Sequence, residues 1–357
     1  MEIARITATP IYVDYVAPLG PYQGSNASSP VRGSSALIVK LETVDGIVGW
    51  GEGTGLMESD VNALLAGHHV SDIEAALSMM ETAGIPYGPM SGVEMAMWDA
   101  LGKVVELPLC RLLGGVLRTE VDYCGCLGLK DPEAAAATAR AYIDSCGFRY
   151  IKTKAGRDAE EDLRIAAAIQ CEIGDEAVLR PDANSGYGPD EAEIQMKKMI
   201  DLGVRYFEDP CGIDHLDYLA RFRHDLGMNI LVNMGVDRPA GVLAALQADA
   251  ADFVMPDTPA AGGLLYVQKV ADTAAAYGVA CLTHCSHDFG LKTIAVAHVA
   301  AATPNFTGPN DTCYHGLSDD ILTERLQFRG GQLNVPLAPG LGVEVDEDKV
   351  EAYRQSI

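Results

Sequence analysis

The sequence predicts an α/β chain in which a (β/α) barrel follows a smaller α+β region. Three observations predict it. From about residue 120, short apolar strands recur with starts roughly 23 to 30 residues apart. Alanine-rich amphipathic stretches, such as DPEAAAATARAYIDSCG and PAGVLAALQADA, fill the gaps. Strand and helix alternating at that spacing build βα units on a parallel sheet. Seven or eight units in a row point to a closed barrel, and no GxGxxG fingerprint follows a first strand. Finally, Lys152 and Lys154, Asp182, Glu208, Asn233, Asp257 and His284 each sit at or near the C-terminal end of a strand. Barrel enzymes assemble their sites at that end. A random scatter of polar residues would not choose the same end of six consecutive strands.

The elements follow in order. Residues 1 to about 50 read as β-structure, because ARITATPIYVDYV and SALIVKLETVDGIVGWGE alternate apolar and polar residues. Asp45-Gly46 supplies a hairpin turn. A Gly/Pro/Ser-rich loop, APLGPYQGSNASSPVRGSS, separates the two runs. Residues 59–113 read as helices, with apolar residues at helical spacing in VEMAMWDALGKVVELPLCRLL. The barrel strands are then VDYCGCLGL (121–129), RYIKTKAG (149–156), EAVLRPDAN (176–184), VRYFEDP (204–210), NILVNMG (229–235), DFVMPDTP (252–259) and ACLTHCS (280–286).

Composition narrows the function. Asp and Glu number 50 against 26 Lys and Arg, a net charge of −24. Nucleic acid and anionic membranes need a basic footprint, so both are excluded as partners. An anionic substrate would need local positive charge or a metal. The nine cysteines are odd in number and form no CxxC pair, which argues against a zinc cluster or a disulfide framework and for reduced thiols in a cytoplasm. The N-terminus lacks the basic-then-apolar layout of a signal peptide, and no 18-residue apolar run suggests a span.

Lys152 and Lys154 are two apart in a strand, so they face one side together, into a barrel's interior. Asp182, Glu208 and Asn233 close three successive strands. Two carboxylates and an amide oxygen are hard ligands that suit Mg²⁺. Singly, Asp182 reads as a helix cap and Glu208 as half of an ion pair; on consecutive strands they read as a metal site. The lysines read either as a base with a cationic neighbour or as structural partners of those carboxylates. Asp257 can orient His284 through a hydrogen bond; His287 is a weaker candidate. A carboxylate substrate on the metal would then meet Lys154 on one face and the His284–Asp257 pair on the other. Removal of its α-proton gives an enediolate, stabilised by the cation and the second lysine.

SGVEMAMWDALGKVVELPLCRLLGG, the KxK of Lys152 and Lys154, the Asp of RPDAN, the Glu of FEDP, PDTPAAGG and GGQLNVPLAPGLGVEVD together resemble the enolase superfamily, mandelate racemase/muconate lactonizing type. Asn233-Met234, where many members carry a Glu, with EDPCG and THCSHDFG, resembles the glucarate dehydratase subgroup. The resemblance implies a (β/α)7β-type modified TIM barrel with an α+β capping domain built from the N-terminal region and the C-terminal tail. Its expected bounds are 1–119 for the cap, 120–325 for the barrel and 326–357 for the tail. It implies Lys154 as the main base with Lys152 its partner, His284 with Asp257 as the acid/base dyad, and Asn184 and Ser286 as contacts for substrate oxygens. Asp237 is the alternative third ligand if Asn233 is not one. The chain is shorter than typical glucarate dehydratases, mainly in the cap. The expected readers of the distal end of the substrate are therefore the loop from Pro18 to Arg32, with Tyr22 and Arg32, and the loop around Trp50 to Gly55. Arg32 would pair with a distal carboxylate or with a surface acid.

The expected activity is Mg²⁺-dependent dehydration of an acid sugar to a 2-keto-3-deoxy acid, with Lys154 or His284 as the base. A racemase or epimerase would use the same residues. A binding protein on a dead barrel is the third reading; it conflicts with so many buried charges, which are costly unless paired. A symmetric homo-oligomer, dimer to octamer, is implied by the resemblance.

Overall fold

The computed structural model describes residues 1–55 and 61–355. Positions 59 and 60 of the expected helical stretch, and 356 and 357 of the expected tail, lie outside the described residues. The first sheet is an antiparallel meander of β1 (Ile3–Asp14), β2 (Gly33–Thr43) and β3 (Val48–Gly53). Gly46 turns the second hairpin with a φ of 83°, a conformation glycine adopts without steric cost. Gly49, Gly51 and Gly53 all face the helix Tyr87–Val104, because alternate strand residues share a side. A Cβ on Gly51 would stand 2.0 Å from the carbonyl oxygen of Gly92. Glycine at every second position thus lets the helix backbone lie directly on the strand. Ile3, Ile6, Leu37, Val39 and Leu41 pack with Val61, Leu65, Met80, Val93 and Met97 into a core of their own.

Eight parallel strands form the second sheet: β4 (Glu120–Leu127), β5 (Tyr150–Lys154), β6 (Val178–Asp182), β7 (Tyr206–Glu208), β8 (Asn229–Val232), β9 (Phe253–Val254), β10 (Ala280–Cys281) and β11 (Asn310–Thr312). A helix crosses between each strand and the next. β11 pairs with β4, and the Asp311 N–H donates to the Thr283 carbonyl at 3.0 Å, so the sheet closes on itself. This is the (β/α)7β barrel with a separate α+β cap. The strands run in the expected order but are shorter than their apolar runs. β11 was not among the expected strands; Asn310-Asp311-Thr312 is wholly polar and gives no strand signal.

The chain then returns. β12 (Gln332–Asn334) lies antiparallel to the start of β4, and the helix Glu347–Ala352 leads back to β1. There the Tyr12 N–H donates to the Tyr353 carbonyl at 3.0 Å, and Lys40 pairs with Glu347 at 2.7 Å. The cap touches the barrel at Glu52, which β3 points away from its own glycine face. Its buried carboxylate accepts the N–H groups of Phe289 and Lys292, each at 2.8 Å, at the start of the helix Gly290–Ala302. An acid is favoured at that end of a helix, where amides are unpaired and the dipole is positive. Burial nevertheless pushes Glu52 up to about 8. Among the described residues no helix is long and apolar enough to cross a membrane.

Candidate active site and metal centre

The barrel register builds the centre. β5 and β6 pair Lys152 with Arg180 and Lys154 with Asp182, and β6 and β7 pair Asp182 with Glu208. Each of these residues is at least nine-tenths buried, so every charge needs a partner. Lys152 Nζ donates to Asp311 Oδ2 at 2.5 Å and Glu208 Oε1 at 3.0 Å, and lies 3.3 Å from Asp182 Oδ2. Burial pulls the Lys152 ammonium down, but Asp311, Glu208 and Asp182 outweigh it and hold it well above the ordinary lysine value. Arg180 pairs with Asp311 and places its Nε 3.2 Å from Glu208 Oε2, without hydrogen-bond geometry. Lys154 Nζ donates to Asp182 Oδ2 at 2.6 Å and Asn184 Oδ1 at 2.9 Å. Burial pushes Asp182 up, yet Lys154 and Lys152 keep it well below the usual carboxylate range. Both lysines do pair with carboxylates; only Lys152 is locked among three.

Oxygens of Asp182, Glu208 and Asp209 lie within 4.8 Å of one another. Burial and Asp182 push Glu208 up to about 7; burial, Glu208 and Asp182 do the same to Asp209. Glu208 Oε2 is buried without a hydrogen-bond partner. Crowded hard-oxygen acids with one orphan oxygen fit a divalent cation. Asn233 donates its Nδ2 to the Met255 carbonyl at 2.7 Å, so its Oδ1 is the atom that could act as a ligand. Asp209, which the sequence reading did not single out, accepts the N–H groups of Asn233 and Met234, each at 3.0 Å, and so fixes that turn. Asp237, the alternative third ligand, accepts the Asp257 N–H at 2.8 Å through one oxygen.

Across the barrel, His284 Nδ1 lies 3.4 Å from Asp257 Oδ2. Asp257 also accepts Ser286 Oγ, and Lys292 Nζ at 2.5 Å. Lys292, another residue not singled out, reaches Asp288 at 2.7 Å as well. Burial pushes Asp257 up, but Lys292 and His284 hold it well below the ordinary carboxylate value. The supposed dyad is therefore a larger cluster in which Lys292 already balances the Asp257 charge.

A cavity of about 410 Å³ joins these groups. Lys152, Lys154, Asn184, Asn233, His284, Ser286 and His287 line it from the barrel, and Tyr22, Ser25, Asn26 and Ala27 from the cap loop. His287 bonds the Tyr15 hydroxyl at 2.5 Å and meets Tyr22 edge-on; burial lowers it to about 4. Two expected readers are not there. Arg32 is exposed at the foot of β2, where its charge acts on Tyr12. Trp50 is in β3 and faces another cavity, of about 470 Å³, with Lys40 5.4 Å from its ring. Arg32 stands just before β2 and Trp50 within β3, and neither lines the site cavity. Positions 56–60, next to Gly55, lie outside the described residues. Cys126, Cys285 and Cys313 complete the wall. They come from three neighbouring strands, so no local spacing could have revealed them.

Known proteins share this layout. Residues 9–114 match the mandelate racemase / muconate lactonizing enzyme N-terminal domain, and residues 134–349 the enolase C-terminal domain-like family. A probable glucarate dehydratase of Streptomyces coelicolor is 30% identical over 98% of this chain and 90% of its own. The L-Ala-D/L-Glu epimerase of Bacillus subtilis is 30% identical over 96% and 97%. The muconate lactonizing enzyme of Pseudomonas fluorescens, solved with muconolactone, superposes with a TM-score of 0.90 at 25% identity, over 99% of each chain.

Proposed function

Because the chain belongs to the enolase superfamily, in its mandelate racemase/muconate lactonizing branch, we propose that it dehydrates an acid sugar, an aldarate or aldonate, to a 2-keto-3-deoxy acid. The observation that carries this reading is one cavity lined by Lys152, Lys154, Asn233 and His284, whose lysines pair with the clustered carboxylates of Asp182 and Glu208. Lys154 takes the proton α to the carboxylate. Lys152, kept charged by three carboxylates, balances the negative charge of the enediolate. His284, oriented by Asp257, gives its proton to the departing β-hydroxyl. Asn184 and Ser286 line the cavity and offer hydrogen bonds to substrate oxygens. Tyr22 and the 25–27 segment line it from the cap loop. Asp182, Glu208 and Asn233 would hold a magnesium ion, which supplies fixed positive charge for the substrate carboxylate.

Epimerisation is the second reading. Two proton-transfer groups on opposite walls can exchange the α-proton without eliminating anything, and a relative at 30% identity is an epimerase. The test is a screen of mono- and diacid sugars with Mg²⁺, scored for 2-keto acids, with Lys154→Ala as control. A keto acid lost in that variant supports dehydration. Deuterium gain at the α-carbon in D₂O, with no keto acid, replaces it by epimerisation. Silence in both assays refutes both readings.

A further inference from the structure

The cavity holds a second donor set that proton abstraction does not use. Cys126 lies near the end of β4, Cys285 follows β10 and Cys313 follows β11; in the closed ring these strands are neighbours. All three sulfurs lie within 4.8 Å of one another, and those of Cys285 and Cys313 are 3.8 Å apart. All three are buried among protein atoms yet border the cavity. Thiolates bind zinc at about 2.3 Å, which sets two sulfurs on one tetrahedral ion about 3.8 Å apart. Three protein thiolates with a fourth position open to the cavity is the donor count of an open zinc site. Hard cations prefer the oxygen set on β6 to β8, and soft ones prefer sulfur, so one cavity offers two sites of opposite preference.

We propose that Cys126, Cys285 and Cys313 form a site for a thiophilic divalent cation of the Zn²⁺ or Cd²⁺ class, separate from the oxygen site. Cys126 and burial push the Cys285 thiol up to about 12. The trio is thus protonated when empty, and the incoming ion displaces the protons. An ion held there stands on the wall of the substrate cavity and obstructs it. The inference does not depend on which reaction the cavity performs.

The test is a cadmium titration of the full chain, reduced and kept without oxygen after all nine thiols have been counted, in excess Mg²⁺. Thiolate-to-cadmium charge-transfer absorption is expected to saturate at one equivalent, with the intensity of three thiolates. Cys313→Ala should remove about a third of it and weaken binding at least about tenfold. Cys171→Ala, at an exposed residue, should change nothing. Mass mapping of alkylation on the unmodified chain provides a readout that needs no variant: one equivalent of Cd²⁺ should protect Cys126, Cys285 and Cys313. A band that fails to saturate, a band unchanged in Cys313→Ala, or protection at other cysteines overturns the proposal.

Discussion

Asp311→Asn tests the electrostatic logic of the barrel. The substitution keeps the shape of the side chain and removes one charge. Asp311 is fully buried between Lys152, at 2.5 Å, and Arg180. At an effective dielectric of about 20, a pair 2.5 Å apart attracts by roughly 6 to 7 kcal/mol. Asp311's own desolvation and its repulsion of Glu208 offset part of this. What remains is a buried cation short of a partner, which costs about 3–5 kcal/mol. Burial pushes Asp311 up, but Arg180 and Lys152 leave it below the ordinary carboxylate value. Its contribution is therefore present above that ordinary value and is lost as pH falls through the lower, folded one. Urea unfolding near neutral pH should show the full loss in Asp311→Asn, and the gap to the parent should narrow in strong acid. Arg180→Met removes a shared partner, so the double variant should lose at least about 1 kcal/mol less than the two single losses together. A single-variant loss below about 1 kcal/mol, or strict additivity, refutes the argument.

Three further outcomes follow. Lys292→Met takes the cation from Asp257 and Asp288, and should lower kcat by at least about tenfold while circular dichroism stays unchanged; unchanged kcat would show that the Asp257 cluster does not position His284. Mg²⁺ should raise the thermal midpoint more above pH 7 than below, because Glu208, at about 7, binds a proton on the acid side and competes with the ion; an equal rise on both sides counts against Glu208 as a ligand. His287 and His298 are lowered by burial to about 4 and His315 to about 3, so the folded state resists protons that the unfolded chain takes up below its ordinary value of 6.5. Stability should fall as pH drops from about 6.5 to about 4, and His298→Gln should flatten part of that slope in calorimetry. In the neutral form His298 accepts the Cys110 N–H and donates to the Leu341 carbonyl.

The barrel and most of its charged rim were legible in the sequence because period and position coincide there. Lys152, Lys154, Asp182, Glu208, Asn233, Asp257 and His284 all close apolar runs long enough to read. Asp311 was not legible, since its strand is three polar residues. Arg180 sits mid-run, where a charge looks like an exception to a buried strand rather than part of a network. Lys292 lies in GLKTIAVAHV, an apolar helix, and gives no sign that its amine points back toward Asp257. Glu52 closes an alternating strand run, which gives no sign that its carboxylate meets the start of the last barrel helix. Arg32 and Trp50 differ in the opposite sense: both belong to cap segments expected at the substrate, yet neither lines the cavity.

The closure of the ring by β11 has a consequence for how the molecule assembles. Asp311 meets Lys152 across 159 positions of chain and Arg180 across 131. Every intermediate that ends before β11 holds those cations with one anion too few. A partial barrel is thus penalised in charge as well as in exposed strand edge, and contacts this distant in sequence form slowly. The last strand acts as a latch that makes the enclosed charges mutually tolerable only when the circle is complete. Cooperativity here comes from polar residues in the barrel's interior rather than from its apolar wall, and one of them, Lys152, also lines the cavity where the chemistry would occur.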